Sequence, residues 1–317
     1  MPSRTINFST AGLFWECRLK DACDVFPEGL PEDHKPFTAR MTKNPLSSVW
    51  TQLVDKYTWS NLTYNRDRLV ALSGIARVAQ IESTDQYVAG MWRKDLEPQL
   101  CWNCFRSAPP RGAYRAPTWS WASLDTSRPI GVFYGDIMKG EHKFTLLAHV
   151  VEVSVIPSGK NPLGNLSSAY LKISCTGLFS GPFNDEESAW YGGHLRSFEI
   201  LELSDQADGL LISLDCDEVI PETLYVLPMV KKEIPGGEIL AGLIIAPTGG
   251  PDGEFRRYGS FFKDYDRENK EDVASFQEFL SVSREDGPAV DTAATVCVKR
   301  DVSESEHPNE TFIITLI

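Results

Sequence analysis

Apolar positions early in the chain recur at the spacing of helices. In "PLSSVWTQLVDKYTW", Val49, Trp50, Leu53, Val54 and Tyr57 share one side, and Ser47 or Ser48 can cap the start. "RDRLVALSGIARVAQ" repeats the pattern with Leu69, Leu72, Ile75, Ala76 and Ala79, and Asp67 stands where the helix dipole favours a negative charge. "DQYVAGMWRKDL" predicts a third, shorter helix through Tyr87, Val88, Met91 and Trp92, although Gly90 weakens it. After "SAPPRGAYRAP", a connector rich in Pro, Ala and Gly, the period changes from helical to extended. Short apolar or alternating runs follow, among them "KFTLLAHVVEVSVIP", "SAYLKISCTGLF", "ETLYVLPMV", "EILAGLIIAP" and "ETFIITLI", with "PTGGPDGEF" as a strong turn signal. One late helix is expected over "EDVASFQEFLSVS".

Strands separated by turns, without alternating βαβ units, point to an α+β chain. We expect a mainly helical region over residues 1–108, packed on a larger antiparallel β-rich part, a sandwich or barrel, over residues 109–317.

Pro117 holds Ala116 extended, so "RAPTWSWAS" is expected to open a strand, with Trp119 and Trp121 on one face and Ser120 and Ala122 on the other. Two readings follow. The pair is the centre of a core, joining helical and β-rich parts, or it is the aromatic wall of a pocket lined by Ser120, Ser123 and Asp125. Paired aromatics at a fixed period favour the core. Arg115 is placed to stack on an indole or to bind a carboxylate such as Asp95.

Composition narrows the function classes. Hydrophobic residues make up 42% and charged residues 24%, the balance of a globular protein. The formal net charge of −13 argues against a nucleic-acid partner, which needs a basic stripe. No apolar run is long enough for a membrane span or a signal peptide, so a cytoplasmic protein with no membrane partner is expected. Seven cysteines at irregular spacing do not suggest a disulfide framework. Cys101 and Cys104 form a lone CxxC without a second ligand pair, and buried free thiols are the reading.

Catalytic signatures are missing too. There is no G-x-S-x-G, HExxH, P-loop or dinucleotide fingerprint, and the histidines are scattered, so no cofactor or metal is expected. Ser73 falls inside a predicted helix, and His149 alternates with apolar neighbours as a structural histidine does. His194, beside glycines, is a weak ligand candidate.

Four stretches, "LFWECR", "LTYNRDRLVALSGIA", "DQYVAGMWRKDL" and "RAPTWSWASLD", agree in order and spacing with one family. Together they resemble the region that follows the HET domain in fungal heterokaryon-incompatibility proteins. The later "NPLGNLSSAYLKISCTGLF" and "IIAPTGGPDGEFRRYGSFF" resemble its β-rich tail, so the likeness runs from about Leu13 to Phe262. The HET domain itself, which precedes this region in the family, is expected to be absent, and its activity is not carried over. The resemblance implies a non-enzymatic regulatory or recognition module, whose partner would be a protein such as a separately encoded HET domain. The alternative is a repurposed cyclase, isomerase or dehydratase of a secondary-metabolite pathway, acting on a small apolar ligand. Its aromatic-lined pocket would draw on Tyr114, Tyr134 and His194 besides the tryptophan cluster.

Overall fold

A computed structural model describes residues 4–10, 12–17, 21–29, 46–60, 65–125, 130–138, 143–181, 183–190, 193–198, 210–266, 298–299 and 312–317. The chain opens not with helices but with a three-stranded antiparallel sheet, β1 (Arg4–Ser9), β2 (Gly12–Cys17) and β3 (Asp21–Cys23). Two helices then appear where the periodicity places them. α1 (Leu46–Thr58) buries Val49, Trp50 and Val54, and α2 (Arg68–Ser83) buries Leu69, Leu72, Ala76 and Ala79. α1 stops at Thr58, whose hydroxyl donates back to the Val54 carbonyl at 2.9 Å and accepts from the Val132 N–H at 2.7 Å. α2 stops at Thr84, in the left-handed conformation with φ 57°, whose N–H donates to the Gln80 carbonyl.

The third expected helix is instead a hairpin, β4 (Tyr87–Val88) and β5 (Met91–Trp92), turned by Ala89 and Gly90. Both turn residues have positive φ, 48° and 98°, the backbone of the tight hairpin turn that matches strand twist. Gly90 tolerates that conformation freely and so decides against the helix. A single helical turn and a half follows, α3 (Leu96–Leu100), and then β6 (Asn103–Cys104), which pairs with β7 (Val132–Phe133). Between them "RAPTWSWAS" is not a strand. Ser120 is extended (φ −89°, ψ 134°), but its hydroxyl accepts from the Ala122 N–H and turns Trp121–Ser123 into a 3-10 helix.

The remaining strands form one sheet: β8 (Phe144–Leu146), β9 (Ala148–Pro157), β10 (Leu166–Cys175), β11 (Phe179–Gly181), β12 (Phe183–Trp190), β13 (Gly193–Phe198), β14 (Leu210–Leu214), β15 (Leu224–Ile234), β16 (Gly237–Pro247), β17 (Glu254–Asp266), β18 (Val298–Lys299) and β19 (Phe312–Leu316). Pairing is antiparallel except where β17 meets β19. With β8 and β9 counted as one strand bent at Leu147, the pairings run β9–β10–β19–β17–β16–β15 and return to β8. The β-rich part is therefore barrel-like, with β14, β13 and β12 continuing the sheet from β17. The helix expected over "EDVASFQEFLSVS" lies outside the described residues.

β16 explains why "EILAGLIIAP" reads as an unbroken apolar run. Its Ile239, Ala241, Leu243 and Ile245 enter the main core, while Leu240, Ile244 and Ala246 enter a second cluster on the opposite face. A strand covered on both sides has no polar alternation to show. The main core runs without a break from Trp50, through Trp102 and Trp121, to Leu316, so helical and β-rich parts share one interior.

Gly242 sits on the second face of β16, where an added Cβ would lie 2.2 Å from the Leu227 carbonyl and 2.5 Å from the Phe261 ring. Gly242→Ala should therefore cost on the order of 2–4 kcal/mol. Gly74, on α2, has nothing within 4 Å of its Cβ position, and Gly74→Ala should stabilise by about 0.5–1 kcal/mol through helix propensity. Urea-unfolding midpoints of the two variants are expected to move in opposite directions.

Candidate functional site

The tryptophan segment works through its backbone as much as its rings. Trp119, Ser120 and Trp121 are fully buried, and Ser123 nearly so. Ser120 Oγ donates to the Ala89 carbonyl at 2.6 Å. The Gly90 carbonyl accepts from two indoles, Trp121 Nε1 at 3.0 Å and Trp50 Nε1 at 2.7 Å. Trp102 Nε1 donates to the Trp119 carbonyl at 2.9 Å. On the β-rich side, Thr118 donates to the Ile317 carbonyl from its N–H at 3.0 Å and also from its hydroxyl, and the same hydroxyl accepts from the Arg257 N–H at 3.0 Å. One short segment thus holds the β4–β5 turn, the end of α3 and strands β17 and β19. After the 3-10 turn, Trp121 meets Tyr57 edge-on at 6.1 Å between ring centroids.

Arg115 meets Asp125 at 3.6 Å and donates to the Ser123 carbonyl at 3.4 Å, so the carboxylate it pairs with is Asp125. Asp95 accepts from Ser47 Oγ at 2.9 Å.

Beneath this segment lies a charged cluster that the sequence reading missed. Asp215 directly follows β14, and its N–H donates to the Tyr258 carbonyl of β17. Its carboxylate takes Arg257 in a two-point grip, Nη2 to Oδ1 at 2.9 Å and Nε to Oδ2 at 2.8 Å. Arg111 Nη2 reaches the same Oδ2 at 3.0 Å. Asp215 is 1% exposed and Arg257 is wholly buried. The other guanidinium hydrogens of Arg257 go to the Leu100 and Trp102 carbonyls, and its plane lies over the Trp102 ring at 3.5 Å. Arg111 also contacts Glu218 at 3.3 Å, Ser123 Oγ at 3.2 Å and Cys216 Sγ at 3.2 Å. Burial alone would weaken the Arg111 charge, but Asp215, Cys216 and Glu218 outweigh it and hold its pKa above the ordinary arginine value.

Such a cluster binds protein to protein. Its donors are engaged internally, and charge-assisted pairs of this geometry order the groups around them. Burial also acts on the neighbouring thiols: it pushes Cys101 and Cys216 up to about 12 and Cys104 well above the ordinary thiol range. Cys101, Cys104, Cys175 and Cys216 are free and buried, as expected for the CxxC pair.

Of the other candidates, Tyr134 lies within electrostatic reach of Arg257, Tyr87 and Cys104. Tyr134 is buried, and desolvation raises its phenol well above the ordinary range. Tyr114 is 53% exposed. His194 belongs to β13, and its side chain lies outside the described positions. His149 sits half-buried in β9, and Ser73 lies in α2 as expected. Among the described residues no group of three or more His, Cys, Asp or Glu could hold a metal ion, and no helix is long and apolar enough to cross a membrane.

Outside the core, α2 carries a second apolar stripe. Val70, Val78 and Ile81 are 40%, 54% and 73% exposed, on the side away from Leu69, Leu72, Ala76 and Ala79, while Ile75, expected among the inner residues, is 38% exposed at the edge of the inner face. No family model matches the chain, and neither a curated protein nor a solved structure does.

Two outcomes are expected. Asp215→Ala leaves two buried guanidiniums without their shared anion and should lose about 3–5 kcal/mol, read from chemical unfolding. In the folded protein at mildly alkaline pH, Cys101, Cys104, Cys175 and Cys216 should resist a thiol-alkylating reagent, mapped by mass spectrometry, and react only after denaturation. Labelling of any of the four at the unfolded-chain rate would contradict the assigned burial.

Proposed function

We propose that this chain is a protein-binding regulatory module, related to the regions that follow the HET domain in fungal heterokaryon-incompatibility proteins. The partner in this reading is a separately encoded HET domain. The observation that carries the binding role is the outer face of α2. A helix needs one apolar stripe to join a core, and α2 has two, the second made of Val70, Val78 and Ile81 in solvent. Apolar residues aligned at helical spacing on an outer face are the anchors of helix-in-groove recognition. The choice of partner is supported by the four motifs, which include "LVALSGIA" on this helix. The matched residues Trp92, Trp119, Ser120 and Trp121 serve the interior in this reading, and the contact is left to the surface.

Calorimetric titration of the whole chain with a purified HET domain tests the proposal. Saturable binding is expected, and the double variant Val78→Glu, Ile81→Glu should weaken it at least tenfold, about 1.4 kcal/mol. Both side chains are exposed, so the melting transition should stay in place. Absence of heat, or binding that the double variant leaves intact, would sink this reading.

A further inference from the structure

Of the arginines packed around the tryptophan segment, Arg115 is held far more loosely than its neighbours. Arg257 presents its Nε–Nη2 edge to both oxygens of Asp215, at 2.8 and 2.9 Å, and Arg111 reaches the same carboxylate at 3.0 Å. Arg115 has one carboxylate contact, Nη1 to Asp125 Oδ2 at 3.6 Å, and one carbonyl contact, Nη2 to Ser123 at 3.4 Å. Both exceed the roughly 2.7–2.9 Å of a charge-assisted hydrogen bond. The Nε–H of Arg115 is buried and meets no acceptor among the described residues. Its Nε–Nη2 edge, the counterpart of the one that Asp215 fills on Arg257, therefore has only the long Ser123 contact. That edge is the one which matches two oxygens of a carboxylate or phosphate.

A second positive charge stands behind it. Arg68, the first residue of α2, is 2% exposed, and the charges of Arg68 and Arg115 act on each other. Burial, and then the Arg115 charge, lower the Arg68 pKa to about 10, against the opposite pull of Asp125, Tyr57 and Cys104. The Tyr57 hydroxyl donates to the Arg68 carbonyl at 3.1 Å and fixes the start of α2 there. An anion beside two like charges relieves their repulsion. Solvent reaches this place, since the Arg115 and Asp125 side chains are 16% and 23% exposed, whereas Asp215 is closed off.

We propose that Arg115, backed by Arg68, binds a small oxyanion, a carboxylate or phosphate group, which takes Nε and Nη2 of Arg115 as Asp215 takes those of Arg257. The Ser123 carbonyl yields Nη2, a long contact, and the ligand gains two short ones. Asp125 stays on Nη1 and limits the affinity, because its charge repels the incoming anion. The site goes beyond the partner-binding reading and uses none of the outer α2 residues on which that reading stands.

Thermal unfolding of the full chain, with inorganic phosphate or acetate exchanged for chloride at constant ionic strength, tests the site. The melting temperature should rise and saturate with at least one of the two, with a Kd on the order of 1 mM. The stronger response names the head group. Arg115→Lys keeps the charge but loses the fork, and should weaken binding more than tenfold. Asp125→Asn removes the opposing charge and should tighten it several-fold. Near-ultraviolet circular dichroism checks that both variants are folded, and either one alone decides the matter. No saturable rise with either anion overturns the proposal. So does a rise that Arg115→Lys leaves intact, or one that Asp125→Asn weakens.

Discussion

Asp215 ties the connector to the junction of β14 and β17 through side chains, where the backbones already meet. Its carboxylate is buried between Arg257 of β17 and Arg111 of the connector, and Arg257 in turn grips the carbonyls at the end of α3. Taking one carboxylate and two guanidiniums out of water is costly, and a hydrophobic replacement of the same shape could be equally stable. The cluster instead confers position. A guanidinium has five N–H donors in a rigid fork, so Arg257 satisfies Asp215, Leu100 and Trp102 only in one arrangement. The end of α3 is thereby fixed against β17.

The tryptophan segment depends on that placement. Trp102 stacks under Arg257 and donates its indole N–H to Trp119, so the cation, the ring and the segment follow one another in space. From there the chain turns at Ser120 and delivers Trp121 to the Gly90 carbonyl, which Trp50 also reaches. An added Cβ at Gly90 would lie 2.9 Å from the Trp121 indole, so the left-handed turn and the absence of a side chain are both required there. Polar satisfaction and ring packing are coupled in this region, and a change at one residue is felt by its neighbours.

Much of the fold was legible because its signals are local. α1 and α2 follow from helical periodicity, and β15 and β16 from apolar runs too short for core helices. The β4–β5 hairpin was not, because Tyr87, Val88, Met91 and Trp92 have a spacing that a helix and a two-residue turn both produce. The course of "TWSWAS" was hidden for a different reason: a single serine hydroxyl, accepting from Ala122, diverts an extended segment into a 3-10 turn. That Trp119, Ser120 and Trp121 lie at the centre could be read from composition and spacing. Asp215 and Arg257 could not be paired in advance, since they are 42 positions apart and each stands among other charges. The only local hint was an acid closing the apolar run "LLISL".

The Asp215 cluster spends its donors inside the protein, so the question of function moves to the surface. Solvent-facing apolar residues scattered singly need no explanation, but aligned on one element they do. The stripe on α2 and the Ile6, Phe8 and Leu13 face of the N-terminal sheet both satisfy that condition, yet they differ physically. α2 is anchored by its inner stripe of Leu69, Leu72, Ala76 and Ala79. The N-terminal sheet adds nothing to either core cluster among the described residues. Occupation of α2 is then a binding event on a preformed surface.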